Sequence, residues 1–211
     1  QGRALVDGKM ACEATLKFSL VEAPSKPQIH PTASIHPTAI IGKDVVVGAY
    51  TIIGEEVVVG DNTIVESNIK VEKWTEIGES CHIHSGAVIG TEAQDIKYEG
   101  EKTKVIIGDR NIIREYVTIG RSTGKNTVTK IGSDNLLMTN VHIGHNCEVG
   151  NHVVMANMVT LAGHTIIEDY VNIGGVSGIH QFTRVGKGCM VGAYTRLLQD
   201  VPPFLLCEGN P

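Results

Sequence analysis

Aromatic side chains are scarce in this chain: one Trp, five Tyr and three Phe make up 4% of its 211 residues. Thick globular cores draw much of their buried area from rings of that size. A core here has to be built from small aliphatic residues, and the 24 glycines point to a thin, repetitive architecture. Dense runs of Lys or Arg are also lacking. With a net charge of −5, that excludes a phosphate backbone, and so nucleic acid, as the main partner. No stretch reaches the roughly 20 apolar residues of a membrane span, and the start does not read as a signal peptide, so the expected compartment is the cytoplasm. Cysteines number five, an odd count, and Cys81, Cys147 and Cys189 recur at one inward-pointing repeat position. They read as small core residues, not as disulfides or metal ligands.

What the sequence has in abundance is a period. Stepping by six from Ile29 to Leu197 visits 29 positions, of which 26 are Ile, Val, Leu or Met. The exceptions, Asp95, Glu101 and Lys125, fall in the polar stretches "TEAQDIKYEGEKTK" and "RSTGKNTVTK", which read as loops over 91–104 and 120–130. The residue after the aliphatic one is often Gly, and the fifth is small or β-branched (Val45, Thr51, Val57, Thr63). Such a unit suits a short strand and a tight corner, with Gly relieving the corner backbone. Three units make an 18-residue coil, and coils stacked about 4.8 Å apart bury the aliphatic ladder inside a prism. The predicted fold is all-β, a parallel β-helix over 29–200.

The ends depart from this pattern. Residues 1–22 alternate around "VDGK" like a hairpin, and "APSKPQ" over 23–28 reads as a linker. The chain opens on Gln1 and stops at Pro211 just after "DVPP", as a piece of a longer protein would, with 201–211 an exit segment.

On the 18-residue coil, scattered histidines fall into one place. His145, Gly163 and Gln181 lie 18 apart, as do Asn146 and His164, and His180 is 36 beyond Gly144. One corner of three successive coils therefore collects His145, Asn146, Gly163, His164, His180 and Gln181, with His142 three residues before His145. Packing does not require such a cluster on the outside of a prism. One reading is general-base acyl transfer: histidine titrates near neutrality, Asn146 can orient its ring, and the Gly163 N–H can face an oxyanion. The other is a metal site, as in hexapeptide-repeat carbonic anhydrases, whose ligand spacing differs.

The ordered set "QDIKYEGE", "IGDRNIIREYVTI", "GSDNLLMTNVHIGHNC", "LAGH", "GGVSGIHQF", "MVGA" and "QDVPPFLLCEGN" resembles the bacterial UDP-N-acetylglucosamine 3-O-acyltransferases. The resemblance implies a left-handed coil, whereas parallel crossovers are ordinarily right-handed. It implies transfer of a 3-hydroxyacyl group from acyl carrier protein to the 3-hydroxyl of UDP-N-acetylglucosamine, the first step of lipid A synthesis, by a homotrimer without metal or redox cofactor. His145 then matches the general base and Gly163 the oxyanion donor. Gln94, Asp95, Lys97, His142, His164, His180 and Gln181 match substrate-contacting residues, and Ala193 matches the acyl-chain ruler, where Gly leaves more room. Asn146 stands where many members have Asp: its carbonyl can orient an imidazole but brings no charge. The C-terminal helices of that family lie beyond Pro211. Residues 1–22 resemble the last strands of the hotdog-fold 3-hydroxyacyl-carrier-protein dehydratases, implying a dehydratase fused ahead of the acyltransferase. The alternatives are the related N-acyltransferase that acylates glucosamine later in the pathway, and a non-catalytic β-helical scaffold.

Overall fold

The structure is a computed structural model that describes residues 2–6, 9–14 and 26–209. Near the start, Gly2–Val6 pairs antiparallel with Lys9–Ala14. The intervening turn lies outside the described residues, as do 15–25 and with them the first half of the expected linker.

From Gln28 onward the chain winds through three parallel sheets, so that each coil adds one strand to each face of a triangular prism. The first face, opening at Gln28–Ile29, has 10 strands, the second, opening at Ser34–Ile35, has 9, and the third, opening at Ile40–Ile41, has 8. Most strands are two residues long, one pointing in and one out. The inward residue is the aliphatic of the six-residue step, and from Val47 to Leu197 these ladder residues are 0–4% exposed.

The fifth position of each unit is buried too, and it carries polar work that aliphatics cannot. Thr51 Oγ1 donates to the Glu66 carbonyl (2.6 Å) and accepts from the Ile69 N–H (3.2 Å), tying one coil to the next. Cys81, Cys147 and Cys189 occupy the same position, each 0–1% exposed, and each thiol donates to a carbonyl of the next coil, at 3.2, 3.1 and 2.9 Å. They are core residues, and burial pushes the Cys147 thiol up to about 11, which leaves it unreactive. Asn111 and Asn135 cap coils in the same way.

The expected reason for the corner glycines needs correction. The corner's left-handed residue is not the glycine but the residue two places on, such as Tyr50 (φ 58°) or Asn62 (φ 59°). Coil closure forces these residues into a conformation that L side chains otherwise avoid. Gly48 is needed for closeness instead: a Cβ there would lie 2.6 Å from the Glu66 carbonyl carbon and the Ser67 nitrogen of the next coil.

Both insertions leave from one corner. The second-face strand Val88–Thr91 is followed by a loop that re-enters the third face at Lys104–Ile107, and a second loop joins Thr118–Gly120 to Val128–Ile131. Ile77 pairs with Ile107 and Ile107 with Ile131, coils of 30 and 24 residues in place of 18. The excess of 12 and then 6 keeps the six-residue step in phase, so the ladder resumes and the 18-residue coil holds from Ile131 to Leu197.

Candidate active site

The corner between the second and third faces carries His145, between strands His142–Ile143 and Glu148–Val149, directly above the coils from which both loops project. The His145 side chain is 15% exposed. Asn146, left-handed at φ 57°, turns its side chain back along the corner. Its Oδ1 accepts the Thr123 N–H (2.9 Å) while its Nδ2 donates to the Thr123 carbonyl (3.1 Å). That two-point grip on the second loop leaves no freedom to flip the amide. The atom facing His145 Nδ1, at 2.9 Å, is therefore the oxygen, so Nδ1 is the protonated ring nitrogen and Nε2 presents a lone pair outward.

Gly163 lies one coil above, beneath the imidazole. A Cβ there would fall 2.4 Å from both Cε1 and Nε2 of His145. Its backbone is not left-handed, so the ring occupies the space a side chain would need. Among the described residues the Gly163 N–H donates to no protein acceptor. His164 meets His145 edge-on with ring centroids 5.2 Å apart and stacks on Phe182 at 4.6 Å. Burial, and then the His145 charge, hold the His164 pKa below the ordinary value. The same two causes lower His142, whose Nδ1 is 2.7 Å from Thr118 Oγ1 on the second face.

The first loop brings an anion and a cation. Asp95 Oδ2 stands 4.0 Å from His145 Nε2, and its Oδ1 accepts the Lys97 N–H at 3.0 Å. Between the loops, above His164, opens a cavity of about 690 Å³ lined in part by Asp95, Lys97, Glu101, Thr123, Lys125 and His164.

The expected residues do not all converge. His145, Asn146, Gly163, His164, Asp95 and Lys97 are brought together. Gln94 lies over the second face beside Thr118 and Arg121. His180 and Gln181 share the corner one coil higher, both exposed, with His180 Nδ1 3.2 Å from the Gln181 carbonyl. Ala193 is at a different corner, between the first-face strand Met190–Val191 and the second-face strand Arg196–Leu197.

Two loop residues escaped the sequence reading. Arg121 is 1% exposed. Its Nη1 donates to the Gly90 carbonyl (2.6 Å), its Nη2 to Tyr98 Oη (3.1 Å), and its guanidinium lies 5.2 Å from the Trp74 ring centroid. Glu101 accepts the Gly124 N–H and Thr123 Oγ1–H at 2.6 and 3.2 Å on one oxygen, and the Glu99 N–H at 2.9 Å on the other. Those backbone donors, Gly124 foremost, pull its pKa down to about 2.

Metal-type donors gather elsewhere. Among the described residues, Glu66, His82 and His84, at the corner between the first and second faces, bring ligand atoms within 4.8 Å of one another. The two imidazoles stack with centroids 4.1 Å apart and planes 21° off parallel. With the rings stacked face to face, at least one would have to turn before both could ligate one ion. Glu66 is already engaged by His82 and by the Ser85 N–H and hydroxyl.

Comparison with known proteins gives the family and the fold. Residues 56–91 and 129–163 match the family described as bacterial transferase hexapeptide (six repeats). An acyl-[acyl-carrier-protein]–UDP-N-acetylglucosamine O-acyltransferase from Synechocystis sp. is 57% identical over 192 residues, 91% of this chain and 70% of that protein. Its namesake from Gloeothece citriformis is 52% identical over 143 residues, 68% of this chain; that match spans about half (52%) of the relative's length. The solved structure of LpxA from Acinetobacter baumannii superposes with a TM-score of 0.85 at 46% identity, covering 87% of this chain and 71% of that one. The fold is the left-handed parallel β-helix of hexapeptide repeats.

Proposed function

This chain belongs to the acyl-[acyl-carrier-protein]–UDP-N-acetylglucosamine O-acyltransferase family, and from that membership we propose that it moves a 3-hydroxyacyl group from acyl carrier protein to the 3-hydroxyl of UDP-N-acetylglucosamine, the opening step of lipid A synthesis. The observation that carries the reading is the His145 imidazole, held by Asn146 Oδ1 with Nε2 directed outward beside Gly163.

His145 Nε2 takes the proton of the sugar 3-hydroxyl as its oxygen attacks the thioester carbonyl. The tetrahedral oxyanion faces the Gly163 N–H. As the C–S bond breaks, the imidazolium returns the proton to the departing carrier sulfur, so the base is restored. The imidazolium has no charged partner at Asn146; the Asp95 carboxylate, 4.0 Å from Nε2, supplies the compensating charge. Lys97 and Lys125 line the cavity between the loops and suit a substrate carrying phosphate.

Ala193, a whole face away from His145, reaches the chemistry in a homotrimer whose sites lie between subunits. The exposed Ile64, Ile112 and Met190 of the first face are apolar surface for that assembly. No helix among the described residues is long and apolar enough to cross a membrane, and a cytoplasmic site of action fits the carrier-borne donor. The N-acyltransferase alternative is not favoured, since the relatives above are named O-acyltransferases.

The test is acyl transfer by the protein and by His145→Ala, read by product mass. Removing a general base costs about 10²- to 10⁴-fold, with sedimentation still showing a trimer. A His145→Ala variant that retains full turnover removes the basis for the mechanism.

A further inference from the structure

The base is held by Asn146, and Asn146 is held by something further out. Its amide grips both backbone groups of Thr123, and Thr123 lies in the second loop, which has the seven residues between Gly120 and Val128 in which to turn back on itself. Within its own loop the Thr127 hydroxyl donates to the Thr123 and Gly124 carbonyls at 2.9 and 2.7 Å; the hold on the Thr123 hydroxyl and the Gly124 N–H comes from the other loop. Glu101, 22 residues earlier in the chain, puts one carboxylate oxygen on the Thr123 hydroxyl and the Gly124 N–H and the other on the Glu99 N–H of its own loop.

We propose that Glu101 is a positioning residue for acyl transfer: through Thr123 and Gly124 it sets the Asn146 amide, and through that amide it selects the His145 tautomer with Nδ1 protonated and Nε2 free to act as base. The inference rests on the acyl-transfer reading of His145. It assigns Glu101 no contact with substrate.

A carboxylate is the group this position requires. Its two oxygens face N–H donors from two different loops, and both accept. Glutamine has one oxygen, so one loop's N–H would confront an NH2 group and the junction would open on that side. Once Thr123 drifts, Asn146 loses the pair of contacts that orients its amide. The amide can then turn its NH2 toward His145, which favours the opposite tautomer, with the proton on Nε2 and no lone pair for the hydroxyl. The ligand-free ring is affected as much as the one in the reacting complex, so the effect can be read without turnover.

The experiment compares wild-type protein, Glu101→Gln, Asn146→Ala and the double variant. Two readouts are taken: the 15N shifts of the His145 ring at a pH where it is neutral, and kcat and KM for the nucleotide sugar. Expected is a single Nδ1–H tautomer in the wild type and a mixture in Glu101→Gln. The same variant should lose about 10- to 100-fold in kcat, the range a misplaced reacting group costs, with KM changed less than threefold. Because both substitutions act on one relay, the double variant should be no slower than Asn146→Ala alone.

Glu101→Gln with an unchanged tautomer and kcat within twofold of wild type overturns the proposal, as does full additivity with Asn146→Ala. If Glu101→Gln does not fold, Glu101→Asp, which keeps the charge and shortens the reach by one methylene, gives the same comparison. Absence of acyl transfer in the wild type would sink the functional reading while the NMR arm still decides the relay. A shifted tautomer with transfer intact would sink the relay's catalytic role alone.

Discussion

Gly163→Ala is a sharp test of the geometry, because it replaces one hydrogen by a methyl group and leaves every hydrogen-bonding group, including the Gly163 N–H, in place. The new Cβ would sit 2.4 Å from both Cε1 and Nε2 of His145 and 3.1 Å from Cδ2. Comfortable carbon contacts begin near 3.5 Å, so ring and methyl must separate by about 1 Å. Alanine itself is not strained there, since the Gly163 backbone is not left-handed. The ring is what can yield, and moving it stretches the 2.9 Å bond from Nδ1 to Asn146 Oδ1. A displacement of about 1 Å at the reacting group costs on the order of 10²-fold in rate. Overpacking of this kind costs about 1–3 kcal/mol, which for a domain of this size lowers Tm by roughly 2–12 °C. Turnover by product mass at saturating donor and acceptor, paired with calorimetry, separates the two effects. Gly178→Ala, on the second face one coil above and with nothing within 4 Å of its added Cβ, is the stability control and should leave Tm nearly unchanged. A Gly163→Ala protein with wild-type turnover and Tm would show that the imidazole does not lie over residue 163, and the assignment of base and oxyanion donor would fall with it.

Two further outcomes follow from the loop junction. Arg121→Ala takes the Arg121 donor from the Gly90 carbonyl and leaves the Tyr98 hydroxyl only its bond to the Glu101 carbonyl, and it opens a cavity against Trp74; urea midpoints should report a loss of about 2–4 kcal/mol, and an unchanged midpoint contradicts the burial. Glu101 and Glu115 are both held at about 2, the first chiefly by the Gly124 N–H and the second by Arg114, against about 4.3 in an unfolded chain. Depressed carboxylates stabilise the fold fully above their unfolded pKa and lose that contribution as pH falls toward 2. Denaturant midpoints should therefore decline between about pH 4.5 and pH 2, less steeply in Glu101→Gln.

Much of this is legible in the sequence, for a physical reason: a coil that closes on itself repeats its burial pattern without variation. Twenty-six aliphatic positions in step can arise only if each meets the same wall. The three broken steps were equally informative, because Asp95 and Glu101 mark the 12-residue excess and Lys125 the 6-residue one. The histidine corner emerged from addition alone. The same addition applied to Ala193 sets it 48 residues beyond His145, two coils and two-thirds of a third, which already places it at another corner. The burial of Arg121 and the contacts of Glu101 left no such trace. Both residues sit where the period is interrupted, and a loop residue's burial depends on which other loop it meets.

That division also explains why the chemistry sits where it does. A β-helix coil has no slack: the fifth-position threonines and cysteines bond to the next coil, and the corner backbone is held in a conformation it would not choose. Such a frame places His145 and Gly163 at a fixed separation, but its short corners cannot wrap a substrate or orient a ring from two sides. The loops add what the frame lacks. Because each adds a multiple of six residues, the ladder above resumes in register, and the insertion disturbs no packing. Because both depart from the corner directly below His145, they meet each other there. Their contact through Glu101 and Arg121 lies outside the repeating frame, and on the relay proposed above the orientation of the base depends on it.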